Sequence, residues 1–111
     1  MANVYRKINT DLVAATVNTA YTVPDNSRAL VKSIHVYNNG AGAADITVTV
    51  GDYASSTDFI YDNSASLAQK GKEEFVTNVL ILEEQDTLKL LSDITGPDVT
   101  ISLLEINRED K

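Results

Sequence analysis

Apolar and polar positions alternate along this chain with a period of two, the mark of strands whose side chains point to opposite faces. In residues 44–50, Ile46, Val48 and Val50 fall on one face and Asp45, Thr47 and Thr49 on the other, which predicts a half-buried strand. Residues 28–38 are rich in β-branched and aromatic side chains. There, Leu30, Ile34 and Val36 are assigned to one face and Val31, Ser33, His35 and Tyr37 to the other, with both faces covered. Residues 16–23 place Val17, Thr19, Tyr21 and Val23 on one side and stop at Pro24-Asp25-Asn26, which removes a ladder donor and supplies turn formers.

Between the strands at 28–38 and 44–50, the Asn39-Gly40 step can adopt the positive φ of a tight turn, so a hairpin is expected. Further strands are predicted at 58–62, centred on Phe59 and Tyr61, and at 74–82, with Val76 and Leu80 or Phe75 and Val79 inward. Two more are predicted at 87–91 and 99–106, after breaks at Glu83-Glu84-Gln85-Asp86 and Thr95-Gly96-Pro97-Asp98. About eight strands with turn signals roughly every ten residues predict an all-β, antiparallel β-sandwich with jelly-roll-like character. The best helical candidate, residues 10–15, is too short to nucleate alone. Tyr5, Tyr21, Tyr37 and Tyr53 are evenly spaced, but their neighbours share no register and indicate no repeat.

A length of 111 residues suits one domain. Its expected organisation is an N-terminal arm or edge strand at 1–15, the sandwich at 16–107 and a charged tail at 108–111. With 43% hydrophobic and 23% charged residues, the chain has the composition of a protein with a packed core. No cysteine is present, so packing alone must hold it. The net charge of −7 repels phosphate backbones, which excludes nucleic acid as an expected partner. Arg6 and Lys7 have no signal-peptide core behind them, and no run approaches the ~20 apolar residues of a membrane span. A soluble compartment and no membrane partner are therefore expected.

Candidate chemistry is sparse. His35 is the single histidine, its expected neighbours are Ser33 and Tyr37, and neither spacing makes a nucleophilic pair, so it reads as a structural residue. Asp58, Asp62, Glu73, Glu74, Glu83, Glu84 and Asp86 form no Asp-x-Asp-x-Asp-Gly loop and read as solvated turn carboxylates. Gly40 and Gly42 lack the following helix that a phosphate loop needs. Aromatics are 6% of the chain and tryptophan is absent, which disfavours a sugar platform. No catalytic, cofactor-binding or metal residue is assigned, and the expected work is done by surfaces.

The stretch Tyr21-Thr-Val-Pro-Asp-Asn-Ser-Arg-Ala-Leu-Val-Lys-Ser-Ile-His-Val-Tyr-Asn-Asn39 resembles small virion proteins of tailed bacteriophages. In them a Val-Pro turn precedes an Ala-Leu-Val-x-Ser-Ile strand, an Asn-rich turn and an Ile-x-Val-x-Val strand, the last here being Ile46-Thr-Val-Thr-Val50. Leu80-Ile-Leu-Glu-Glu-Gln-Asp-Thr-Leu88 and the strand at 99–106 extend the likeness over residues 16–106. The resemblance implies a non-enzymatic β-sandwich of the virion, as a capsid decoration (cement) protein, or alternatively a tail, neck or fibre component with a receptor- or carbohydrate-binding role. It implies contacts with a major capsid protein or other virion proteins, a homo-oligomer such as a trimer, and assembly in host cytoplasm. For a receptor or sugar binder, the loops expected at 51–57 and 62–72 would form the site. An inhibitor acting as a nucleic-acid mimic is disfavoured, because the acids are dispersed among turns.

Overall fold

The computed structural model describes residues 2–107, so the expected tail at 108–111 lies outside the described residues. The strands are β1 (Ala2–Asp11), β2 (Asn18–Thr22), β3 (Ser27–Tyr37), β4 (Ala44–Asp52), β5 (Thr57–Leu67), β6 (Lys72–Glu74), β7 (Leu80–Leu82), β8 (Thr87–Ser92) and β9 (Asp98–Asn107). The described residues contain no helix. The strands form two antiparallel sheets. In the first the order is β1-β9-β3, with β6 and β7 both on the far side of β3; in the second it is β2-β8-β4-β5. The chain passes repeatedly from one sheet to the other, and the result is an antiparallel β-sandwich.

β4 folds as its alternation dictates, with Ala44, Ile46 and Val48 buried and Val50 half-buried against the core. These residues meet Leu88 and Leu90 of β8 and, from the facing sheet, Val31, Ile34, Val36, Val99, Ile101 and Leu103 in one apolar interior. Each such aliphatic side chain, fully buried, contributes roughly 1.5–3 kcal/mol.

Several expectations are corrected. In β3 the register against β9 shifts between Val31 and Ser33. Lys32 is the extra residue, so Ala29, Val31, Ile34 and Val36 face the core, while Leu30 turns outward with Ser33, His35 and Tyr37. A shift in β2 between Thr19 and Tyr21 has a similar effect: Tyr21 and Val23 are buried, but Val17 and Thr19 are exposed. The strand expected at 58–62 runs from Thr57 to Leu67.

The expected hairpin at residues 38–43 is a crossing between sheets, since β3 and β4 belong to different ones. Buried Asn38 holds this crossing. Its side-chain amide donates to the carbonyls of Gly42 and Leu67, each at 2.8 Å, and its Oδ1 accepts from Gly40 N at 3.0 Å. Its main chain pairs with Gly71 O and Lys70 N. Behind the crossing, Gly96 adopts φ 128° against Gly40, where a Cβ would come within 2.6 Å of the Gly40 Cα.

The strand expected at 74–82 is split into β6 and β7, which makes nine strands where about eight were expected. The split lies opposite the β3 bulge. Glu74 fills the gap in the ladder, accepting from the amides of Ile34 (2.8 Å) and Val76 (3.0 Å) and from Ser33 Oγ (2.6 Å). Burial pushes the Glu74 carboxyl up, but those hydrogen bonds and nearby His35 outweigh it and hold its pKa below the ordinary 4.5.

Among the described residues two carboxylates are buried, Asp86 and Glu105. Glu105 of β9 is only 2% exposed, accepts a 2.5 Å hydrogen bond from the Tyr21 hydroxyl across the sandwich, and pairs with Arg6 Nε of β1 at 3.2 Å. Burial, then the bond to Glu105, pushes the Tyr21 phenol far above its usual range. A buried carboxylate needs such partners, and these tie β1, β2 and β9 together.

Candidate interaction surfaces

The carboxylates singled out from the sequence are engaged in local structure. Both oxygens of Asp86 accept from backbone amides, Tyr53 N at 3.0 Å and Glu83 N at 2.9 Å, so the acidic turn is closed by its own side chain. Glu84 accepts from Asn26 N at 2.7 Å, Asp62 from Asn63 N at 2.8 Å, and Asp58 pairs with Lys89 at 3.2 Å. Glu73 and Glu83 are exposed and stand on β6 and in the acidic turn. Among the described residues no three His, Asp or Glu side chains form a group able to hold a metal.

His35 is half-buried on the outer face of β3, opposite Thr100 of β9 and Glu74 of β6. The Ser33 hydroxyl donates to Glu74, so nothing aligns it on the imidazole as a nucleophile. Gly40 and Gly42 belong to the sheet crossing. Of the loops expected at 51–57 and 62–72, residues 62–67 are part of β5, and Gly51 and Asp52 end β4.

What the fold does present is two apolar surfaces. On the outer face of the first sheet, Tyr5 is opposite Leu104, Leu104 opposite Leu30, and Leu30 opposite Ile81. Residues opposite one another in an antiparallel ladder share a face, so these four form one row across β1, β9, β3 and β7. Tyr5 is 78% exposed and Ile81 59%, while Leu30 and Leu104 are half-buried between them. The bulge at Lys32 is what turns Leu30 outward into the row.

Basic side chains border this row. Lys7 is two residues from Tyr5 along β1, and Arg28 and Lys32 are each two from Leu30 along β3. All three are exposed, and none makes an ion pair among the described residues. A cleft of about 270 Å³ opens beside the row, lined by Tyr5, Arg6, Lys7, Lys32, Ser102 and Leu103.

The second surface is β5, an edge strand of the other sheet. It pairs with β4 alone, and only Leu67 at its end is buried. Phe59 (54% exposed), Ile60 (69%) and Tyr61 stand free of the core between Asp58 and Asp62. A shift in register between Val48 and Thr49 of β4 leaves Tyr61 as the extra residue on β5, so the segment is apolar on both sides. Sequence reading placed Phe59 and Tyr61 on a strand; the absence of cover on either face was not visible there.

No protein family and no curated protein matches the chain by sequence. Solved structures do match its fold. A chain from the acidic stable capsid of Helicobacter pylori bacteriophage KHP30 is similar at a TM-score of 0.62 and 11% identity, over 97% of this chain and 95% of that one. A chain from Bacillus endospore appendages, a family of disulfide-linked pili, is similar at a TM-score of 0.56 and 15% identity, over 96% and 89%. This chain thus shares its sandwich fold with a component of a phage capsid and with a pilus protein.

Proposed function

We propose that this chain is a non-enzymatic structural protein of a bacteriophage particle, acting as a capsid decoration (cement) protein that stabilises the shell through protein–protein contacts. The observation that carries this reading is the near end-to-end match to the KHP30 capsid chain, which extends over almost the whole of both molecules. The phage-like strand and turn pattern over residues 16–106 points the same way. The physical basis is compatible. A core closed by packing leaves two exposed apolar surfaces, and a symmetric shell multiplies weak contacts by avidity. In this role the chain works as a homo-oligomer, for instance a trimer at threefold positions of the shell.

The pilus likeness supports a different architecture, but these 111 residues hold no cysteine and cannot supply the disulfide links of that assembly. Cryo-electron microscopy and quantitative mass spectrometry of purified particles test the proposal. Many copies on the outer shell are expected. A few copies at the tail or fibre would move the protein to that apparatus, and absence from the particle would reject the reading.

A further inference from the structure

We propose that Asn39 is a site of spontaneous deamidation held in check by Asn38, and that the carboxylate it yields beside Asp98 loosens the crossing between the sheets. An asparagine followed by glycine is the pair most open to this reaction, because the second residue has no side chain to hinder attack by its backbone nitrogen. The fold calls for that pair. A Cβ on residue 40 would lie 2.9 Å from the Thr95 carbonyl oxygen and 2.8 Å from Ile94 Cδ1, so packing favours glycine after Asn39. Asn39 itself is exposed.

The reaction needs only the chain and water. The Gly40 nitrogen gives up its proton and bonds to the Asn39 side-chain carbonyl carbon. The bond from that carbon to Nδ2 breaks, and this nitrogen leaves with the proton as ammonia. Water then opens the resulting succinimide at either carbonyl, which leaves aspartate or isoaspartate at position 39.

In the closed crossing that attack is blocked. The Gly40 N–H is donated to Asn38 Oδ1 at 3.0 Å, and Asn38 is fully buried, its own amide fixed on the carbonyls of Gly42 and Leu67. Gly96 presses on the same peptide: a Cβ there would come within 3.0 Å of Gly40 N and 3.3 Å of the Asn39 carbonyl carbon. A nitrogen bonded on one side and covered on another does not close a ring, so the reaction waits for the crossing to open.

The product matters because of where it forms. Asn39 Nδ2 is 3.5 Å from Asp98 Oδ2, and Asp98 is hydrogen-bonded to Asp11, its partner on β1. That bond raises the Asp98 pKa, and the contact with Asn39 opposes the rise. Deamidation replaces the opposing donor with a third carboxylate, and like charges set together repel. Isoaspartate also adds a methylene to the main chain next to the Asn38 bonds. The disturbance passes to the root of β1, where Gly96 N donates to Leu12 O at 3.0 Å.

The test is peptide mapping by mass spectrometry of the full chain held at mildly alkaline pH, with conversion at Asn39 followed over time across a urea series. Conversion is expected to be about tenfold or more slower in the folded chain than in the unfolded one. Asn38→Ala, checked by circular dichroism for strand content, is expected to convert faster than the wild type. Equal rates in folded and unfolded chains, or an Asn39 that stays intact when unfolded, would overturn the guarded site; a folded Asn38→Ala as slow as the wild type would remove Asn38 as its guard. For the consequence, Asn39→Asp is compared with the uncharged Asn39→Ser in urea unfolding. The aspartate is expected to lower the folding equilibrium constant about twofold to fivefold relative to the serine, and equal stability would refute the loosening. None of these measurements involves the particle, so their outcome and that of the proposed function are separate.

Discussion

β3 and β5 are both eleven-residue strands, yet they differ in almost every respect that burial can measure. β3 has neighbours on both sides, β9 on one and β6 and β7 on the other, and it sends Ala29, Val31, Ile34 and Val36 into the interior. β5 has a single neighbour and leaves Phe59, Ile60 and Tyr61 in solvent. The difference separates two roles for an apolar side chain. On β3 it holds the domain together; on β5 it is held out by the β4 ladder and stabilises little until something covers it.

The sharpest break of this comparison is to charge the interior. Val48→Asp sets an unpaired carboxylate among Ile34, Val36 and Leu90 and is expected to cost more than about 4 kcal/mol, so that no soluble fold is recovered. Thr47→Asp, on the other face of β4, is expected to be mild in the same thermal melts. Equal behaviour would overturn the facing of the second sheet.

Next in size is Asn38→Ala, which orphans the carbonyls of Gly42 and Leu67 and the amide of Gly40 where the chain crosses between sheets. A loss of about 2–4 kcal/mol in urea unfolding is expected. Glu74→Gln probes the patch over the β3 bulge through pH. The folded-state pKa lies below the ordinary value, so the carboxylate's contribution is complete above pH 4.5 and lost as pH falls through that lower pKa. The variant is therefore less stable than the wild type at neutral pH, and the gap closes on acidification; a gap constant with pH would remove this account of Glu74.

The smallest stability effect belongs to β5. Phe59→Ser/Ile60→Ser/Tyr61→Ser is expected to lower stability by less than about 1 kcal/mol in the dilute chain, close to a surface change. A loss as large as that of an interior truncation would show that these side chains are core after all.

The strands most legible in the sequence are those whose alternation runs unbroken. β4 was read with its facing correct because Ile46, Val48 and Val50 follow one another without a bulge, and β8 and β9 were placed within a residue or two. Leu30 and Val31 were assigned to the wrong faces because one extra residue at Lys32 inverts the pattern, and a bulge has no sequence signature of its own. The hairpin was misread because Asn-Gly declares a turn but not which sheet the chain enters afterwards; that choice is made by the side-chain bonds of Asn38 to residues 42 and 67. The end of β5 went unread because Asp62-Asn63-Ser64-Ala65-Ser66 has the composition of a loop, and only its pairing with β4 keeps most of it extended.

The apolar row was beyond reach for a different reason. Tyr5, Leu30, Ile81 and Leu104 come from four separate strands, and only the ladder registers bring them abreast. The ridge was half legible, as an apolar strand flanked by acids. Its exposure depends on what fails to cover it, which is a property of the whole fold.

Hydrogen exchange followed by mass spectrometry, strand by strand at low protein concentration, tests the contrast between β3 and β5 most directly. Slow exchange is predicted for β3 and β9, and fast exchange for residues 58–62 of β5. Residues 58–62 protected as strongly as β3 in the dilute chain would contradict the division between a closed interior and an exposed ridge.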